Sequence, residues 1–467
     1  MTTARTRRRL ARAAAVLAAT AVAAAAMPAA EAKPPKGDTA RISETAKGEP
    51  LNGPSRALGL SDDGRFALFA SAATDLLPGA GTPNTDEVYV RDLRNGKVER
   101  VSVAADGSRL NAPTSDASIS GDGRYVAFST SATNVVPGQV AHPSDVFVHD
   151  RWTGSTELIT ADAPGSGSGN DGYSDHPTLS RDGRYVAYAS SRTDLAPGQS
   201  GRYFNVFFAD RRTGTTRLVT PGTDGEPANN TSYNPMISAD GSTIGFASRA
   251  GNLLPQAPVP TDPSVPEPAA EPAAEPADGS APLSAPRFYP YYVWKADTGT
   301  ISGASVDDEG WLRGVSVGAR LSRDGRYALF GLPVRLAPDS YRYRMDLYAR
   351  ELATGRLTQL NAFLPGTTTT ESAYHPVLAD GRWAYFDSAA DNLVPDDTNG
   401  VSDVFRRDLW TGRIERVSLT REGGQSNTAA ENPQVHEGGD TVLFDAGDGN
   451  LVPGDTNGAT DVFLRRL

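Results

Sequence analysis

Apolar and polar positions along this chain alternate in short strand-length runs, and no run outside the first 30 residues keeps a helical period. One such run recurs seven times, about every 58 residues, as a Gly followed by a strand-like stretch ending in an aromatic. It reads GRFALF (Gly64–Phe69), GRYVAF (Gly123–Phe128), GRYVAY (Gly183–Tyr188), GSTIGF (Gly241–Phe246), GRYALF (Gly325–Phe330), GRWAYF (Gly381–Phe386) and GDTVLF (Gly439–Phe444). The terminal aromatic is never lost.

Around this core each copy carries strand-like runs separated by turn residues. The second copy displays four: Ala117–Ser120, then Arg124–Ser129, then Asp145–Asp150 after a longer loop, then Thr156–Thr160. We call them strands a, b, c and d. The a-to-b turn is Asp-Gly in six of the seven copies. The c-to-d turn is Thr-Gly or Asn-Gly at Gly96, Gly154, Gly214, Gly299, Gly355 and Gly412. Tight hairpins demand positive φ there. A four-stranded antiparallel unit repeated in this way predicts an all-β, seven-bladed propeller.

The seventh copy stops at Leu467 after its c strand, whereas Ala40–Ser43 (ARIS) precedes the first a strand and resembles the d-strand sequences RVSV (Arg100–Val103) and RVSL (Arg416–Leu419). The expected ring is therefore closed by the N-terminal strand completing the last blade, which removes an open sheet edge. Gly 47 and Pro 34, with β-branched and aromatic residues concentrated in strands b, c and d, agree with this reading. A propeller accumulates core between neighbouring blades, so residues 33–467 are expected to form one domain.

The first 32 residues read as a secretory signal peptide: a basic start with Arg5, Arg7, Arg8, Arg9 and Arg12, an apolar stretch Ala13–Met27, and an Ala30-Glu31-Ala32 cleavage site. Thr6-Arg7-Arg8-Arg9-Leu10 also resembles a twin-arginine signal, so Sec and twin-arginine export both stand. A secreted or cell-wall-associated monomer with no stable membrane insertion is expected. With no Cys, blade packing and ring closure must supply the stability. Removing five Arg and one Glu with the signal takes the formal charge from −11 to −15. That balance argues against nucleic acid as a partner.

In a blade the a-to-b and c-to-d turns share one face of the disc, and the b-to-c and d-to-a loops share the other. The loops carry the variation and the length, which makes the loop face the candidate binding surface. Pro255–Arg287, with PEPAAEPAAEPA at its centre, is a Pro/Ala/Glu-rich insertion expected to be disordered. It reads either as a neutral insertion or as an acidic tether.

Three residue sets stand out. Four a strands start with a polar residue before Pro, at His176, Asn234, His375 and Asn432, which either ring the channel mouth and hold a ligand or satisfy a local turn. A loop-face patch of Arg202, Tyr203, Phe204, Phe288, Tyr289, Tyr291, Tyr341, Arg342, Tyr343 and Arg344 offers aromatic and Arg anchors, unless neighbouring strands bury them. The last two b-to-c loops share D-x-N-G-x-x-D, presenting Asp397, Asn399 and Asp403, and Asp455, Asn457 and Asp461, as hard oxygen donors. Calcium is the one cofactor this pattern suggests, although the donor count is low and an Asn-Gly turn explains the same residues.

The core P-x-[IL]-S-x-DGRY-[VA]-[AL]-F, as in PTLSRDGRYVAY (Pro177–Tyr188) and PMISADGSTIGF (Pro235–Phe246), resembles the TolB-like propellers built from WD40-like PD40 repeats, over nearly all of the chain after the leader. The resemblance implies the fold and only weakly a function, because such repeats occur in periplasmic protein-binding scaffolds, prolyl-peptidase propellers and propeller lyases. No sequence remains for the N-terminal α/β domain of TolB, and the G-x-S-x-G nucleophile elbow is absent. No His pair has zinc-binding spacing. The expected function is a non-catalytic scaffold binding a protein, peptide or cell-wall glycan. The alternative is a lyase-type propeller with His176 or His375 as base and a metal or an Arg such as Arg202 stabilising the anion.

Overall fold

Side chains alternate across each strand, so a sheet with two apolar faces needs a covering layer on both sides, and a closed ring of sheets supplies one to every member. The computed structural model describes residues 37–78, 85–140, 142–162, 172–196, 203–223, 227–255, 288–307, 309–315, 318–337, 342–447 and 449–467. The leader, the insertion beyond Pro255, Arg202 and Tyr341 lie outside the described residues. Among the described residues no helix is long and apolar enough to cross a membrane.

Seven antiparallel sheets form, each in the order a-b-c-d. Blade one runs Ser55–Leu60, Phe66–Ser71, Glu87–Asp92 and Val98–Arg100. Blade four departs from the four-strand expectation, because Gly314–Val315 adds a fifth strand against Tyr289–Lys295. Strand a is innermost, and a strands of neighbouring blades touch. The ring closes as expected: Thr39–Arg41 pairs with Asp461–Arg466, Thr39 opposite Arg465 and Arg41 opposite Phe463. Beyond the paired strand, Ile42 N–H donates to Val462 O at 2.8 Å and the Ser43 hydroxyl to Asp461 Oδ1 at 2.5 Å.

The recurring Gly-Arg-aromatic triplet builds the joint between blades. Gly123 and Gly183 hold φ of 70° and 65°, and a Cβ on either would lie 2.3 Å from the ring of Phe66 or Tyr125 in the preceding blade. Glycine is needed there twice over. The Arg that follows reaches the Asp ending strand c: Arg124 to Asp150 at 2.6 Å, Arg184 to Asp210 at 2.6 Å and Arg382 to Asp408 at 2.7 Å. These charged hydrogen bonds hold the three carboxyls down at about 2. The terminal aromatic of strand b is fully buried and stacks on an aromatic of strand c, as in Phe69 on Tyr89, Phe128 on Phe147 and Tyr188 on Phe207, with centroids 5.7, 5.7 and 5.5 Å apart. Its invariance is a packing requirement.

A candidate binding site at the loop-face mouth of the channel

Strand a runs inward from the loop face to the tight-turn face, so its first residues meet the channel mouth. In six blades an extra residue enters strand a opposite strand b, between Ala57 and Gly59, Thr114 and Ala117, Asp175 and Thr178, Tyr233 and Met236, Tyr374 and Val377, and Glu431 and Gln434. The last four bulges each contain the His or Asn that precedes Pro. His176, Asn234, His375 and Asn432 adopt φ of 51°, 50°, 49° and 56°, a left-handed conformation that costs a non-Gly residue about 1–3 kcal/mol. Bulges of this kind re-aim a side chain.

The four residues do not form an even ring. His375 Nδ1 lies 2.7 Å from Oδ1 of the buried Asp387, and the same oxygen accepts the Asn432 N–H at 3.1 Å. The Asn432 amide donates to Asp445 Oδ2 at 2.9 Å and to Ala57 O at 3.0 Å, and its oxygen accepts from Gln434 Nε2 at 2.8 Å. Asp445 also accepts the Ala57 N–H at 2.6 Å. Burial pushes its carboxyl up to about 7 despite these donors. Gln434 Oε1 receives Arg320 Nη1 from blade five at 3.3 Å, a contact that joins two non-adjacent blades. His176 belongs to a separate group, 2.9 Å from Asp175 and 3.9 Å from Asp116. Burial works against protonating that imidazole, but the two carboxylates raise its pKa overall. Asn234 joins neither group.

The opposite end of the channel is bridged. Asp62 of blade one lies 2.9 Å from Arg181 Nε of blade three and 2.9 Å from Arg323 Nε of blade five, and Arg181 also pairs with Glu437 of blade seven. Arg323 further donates to Leu179 O at 3.0 Å. Ion pairs thus span the channel at its tight-turn end, and we refer to the part on the loop-face side of them as the well.

Position-by-position registers show which residues depart from the repeat. Tyr291 stands where the other c strands carry Val88, Val146, Val206, Leu347, Val404 and Val462. Asp387 and Asp445 stand where the other b strands carry Ala70, Ser129, Ala189, Ala247 and Gly331. Arg320 occupies the strand-a position of Gly59, Ser118, Thr178, Met236, Val377 and Gln434. These departures converge on one side of the well, within blades four to seven. Sequence reasoning missed Arg320, Asp387 and Asp445, and a column-by-column comparison of the seven copies holds the signal.

The aromatic patch is rearranged by packing. Tyr291 leaves it, being 0 % exposed in the interface between blades four and five. Tyr289 meets Tyr233 edge-on and lies under Arg249, while Tyr343 meets Phe288 edge-on, with centroids 5.7 and 5.5 Å apart. The first pair packs within blade four and the second joins blade four to blade five. Tyr203 and Phe204 are half-buried, Arg342 is exposed, and Arg344 pairs with Asp346 at 2.8 Å. Among the described residues the exposed loop-face aromatics are instead Tyr173 and Tyr374, neighbours of the His176 and His375 segments. A separate cavity of about 860 Å³ between blades five and six is lined by Arg335, Arg344, Thr369, Glu371 and Asp391, and shares no residue with the well.

The calcium pattern resolves into ion pairs with arginine. Arg416 Nη1 lies 2.8 Å from Asp397 and 3.3 Å from Asp403, and Arg41 Nη1 lies 2.7 Å from Asp455 and 4.0 Å from Asp461. Asn399 and Asn457 donate to Asp403 and Asp461 at 2.7 and 2.8 Å. In blade one, which lacks the D-x-N-G loop, the equivalent strand-d Arg100 lies 3.2 Å from Glu87 at the start of strand c, and Asp145 of blade two is met by Arg192 of blade three at 2.9 Å. The carboxylates that the calcium reading requires are therefore held by a guanidinium, as part of a device that recurs around the ring. Among the described residues, no cluster of three or more His, Asp or Glu is arranged to hold a metal ion.

No protein-family description and no curated protein matches this chain. Solved structures similar to it include the β-propeller domain of the Trilobed protease from Pyrococcus furiosus (13% identity, TM-score 0.47, 84% of this chain and 89% of that one). A prolyl endopeptidase matches at 13% identity and TM-score 0.49, over 90% of this chain and 51% of that one. A putative TolB from Agrobacterium tumefaciens matches at 15% identity and TM-score 0.37, over 82% and 98%. The chain spans about half the length of the prolyl endopeptidase, and the propeller assignment rests on its own strand pairing.

Proposed function

We propose that this protein is an exported, non-catalytic propeller scaffold that holds a protein, peptide or cell-wall ligand on its loop face, over the mouth of the central well. The observation that carries this reading is the convergence of repeat-breaking polar residues on the loop-face side of a channel bridged at its other end. Repeats maintain architecture, so departures that cluster in space serve something else. Tyr173 and Tyr374 add exposed aromatic surface on the same face. A thermal-shift screen with peptides and wall glycans tests the reading. A hit should weaken in Tyr374→Ala and His375→Ala and stay unchanged in Trp410→Ala on the tight-turn face. Equal loss in all three would sink it.

One observation favours a second reading, a lyase-type propeller: His375 is oriented by Asp387 at 2.7 Å, the pairing that positions an imidazole as a base. A measured turnover abolished by His375→Ala would replace the scaffold by this enzyme.

A further inference from the structure

Blade five departs from the repeat at its loop-face end. Its strands b and c, Tyr327–Arg335 and Tyr343–Glu351, run nine residues each, whereas strand b has six in every other blade. The extra residues lie beyond the Phe330 aromatic and before Asp346, and their pairing continues to Arg335 opposite Tyr343. Three more residues per strand carry the paired hairpin about 10 Å farther onto the loop face.

The connection that follows departs as well. Asn361 accepts the Leu347 N–H as Ser102 and Ser418 accept those of Val88 and Val404, which aligns the three d-to-a connections. Five other connections then close through an isolated bridge, as between Val103 and Arg109 or Leu419 and Gln425. Among the described residues the corresponding pair here, Ala362 and Thr368, makes none. Arg344, in the extra part of strand c, holds this connection instead. It pairs with Asp346 at 2.8 Å, donates to Thr369 O at 2.9 Å and lies 4.9 Å from the centre of the Phe363 ring. The Met345 N–H donates to Ser372 Oγ at 3.0 Å. Hairpin and connection are therefore fixed to each other around the cavity of about 860 Å³ between blades five and six, a volume within the range of ligand sites. Both of its walls are built by departures from the repeat.

The lining alternates donors with acceptors. The hairpin contributes Arg335 together with the apolar Val334 and Leu336, and blade six and its connection contribute Glu371, Asp391 and the hydroxyl of Thr368. Both carboxylates are exposed, and among the described residues neither has a basic partner, Glu371 Oε1 accepting the Thr370 hydroxyl at 3.3 Å. An anion entering the cavity meets two carboxylates, and a cation meets a guanidinium. A group that both donates and accepts suits every member of such a lining, and the hydroxyl is that group.

We propose that this cavity binds a neutral, hydroxyl-rich ligand, a saccharide unit of a glycan, with its polar edge on Arg335, Glu371 and Asp391 and its C–H surface on the apolar residues. The site is a second one on the loop face, and it stands apart from the well, with which it shares no residue.

Calorimetric titration with maltotriose, cellotriose and triacetylchitotriose tests it, with deacetylated chitotriose as the cationic counterpart and Ala-Ala as a zwitterion. At least one neutral trisaccharide should bind with Kd below about 1 mM. Asp391→Ala and Glu371→Ala should each weaken that binding about fivefold or more. Ala389→Trp, which fills the cavity from an exposed position, should abolish it, and His375→Ala should leave it unchanged. Circular dichroism melts separate lost binding from lost fold, and because Glu371 and Asp391 are both exposed, their double Ala variant decides where Ala389→Trp melts early. No neutral trisaccharide bound up to about 10 mM, tighter binding of deacetylated chitotriose or Ala-Ala, or indifference to these cavity variants in a folded protein would overturn the site. Binding lost in His375→Ala but kept in Asp391→Ala would put the sugar at the well, uphold the loop-face reading above and remove this second site.

Discussion

The two ends of the central channel are built by the same seven a strands and solve opposite problems. At the tight-turn end Asp62, Arg181, Arg323 and Glu437 come from four alternate blades and meet in ion pairs across the axis. Farther toward the loop face the contacts change: Arg320, in the middle of the channel, crosses toward Gln434 with a single long hydrogen bond, His375 is turned by a bulge onto Asp387, and Asp445 is raised to about 7 by burial. One end spends its charges on holding the ring, and the other keeps them available. The contrast teaches how to read a repeat protein: positions that agree between copies describe the joint, and positions that disagree, when they converge, describe the site.

The largest expected effect tests the claim that matched charges hold the ring. Arg41→Met leaves Asp455 and Asp461 buried beside an apolar side chain at the clasp and should cost about 3–5 kcal/mol in urea unfolding. Deleting Thr39–Glu44 should lower the melting temperature further, because it removes the pairing strand itself. A clasp variant as stable as the parent would mean that closure contributes nothing.

The blade joint gives a second, smaller contrast. Gly183→Ala meets both a positive φ and the Tyr125 ring, whereas Gly154→Ala meets a φ of 74° with nothing within 4 Å. The left-handed backbone should cost about 1–2 kcal/mol at either site. Overpacking should add about 1–3 kcal/mol at Gly183 alone. Equal losses would show that the joint is looser than the geometry indicates.

Asp445 sharpens the comparison through pH. Its carboxyl titrates near 3.8 when unfolded and near 7 when folded. Between those values the folded state holds the extra proton, so this group's contribution to stability falls as pH rises and levels off above about 7. Asp150, Asp210 and Asp408 behave oppositely, with stability present above 3.8 and lost as pH falls toward about 2. Asp445→Asn should therefore improve relative to the parent between pH 4.5 and pH 8, read as the shift in urea midpoint. A pH-independent difference would contradict the raised carboxyl.

Most of the fold was legible because its determinants are local and repeated. The Asp-Gly turns, the b-strand aromatic and the orphan ARIS segment each announce themselves within a few residues, and the structure adds only the fifth strand of blade four. The site was half legible. His375 and Asn432 were visible through the Pro that follows them, but Asp387 and Asp445 sit directly after the repeated aromatic and read as the tail of strand b. Tyr291 looked like a surface anchor because its sequence neighbours are aromatic, while its path depends on Gly245 of the preceding strand, which lies beyond the long insertion. The D-x-N-G loops failed for a related reason. Arg41 lies 414 residues from Asp455 in the chain, so spacing alone cannot reveal that a guanidinium meets those carboxylates.

The most direct test of the central claim sets Arg320→Met beside Arg41→Met in the same urea titration. If the loop-face mouth keeps its polar groups for a ligand, Arg320→Met leaves the midpoint unchanged or raises it, because a poorly paired cation is replaced by apolar volume, while Arg41→Met falls steeply. A fall of similar size in both would make Arg320 another structural bolt and contradict the assignment of the well as a binding site.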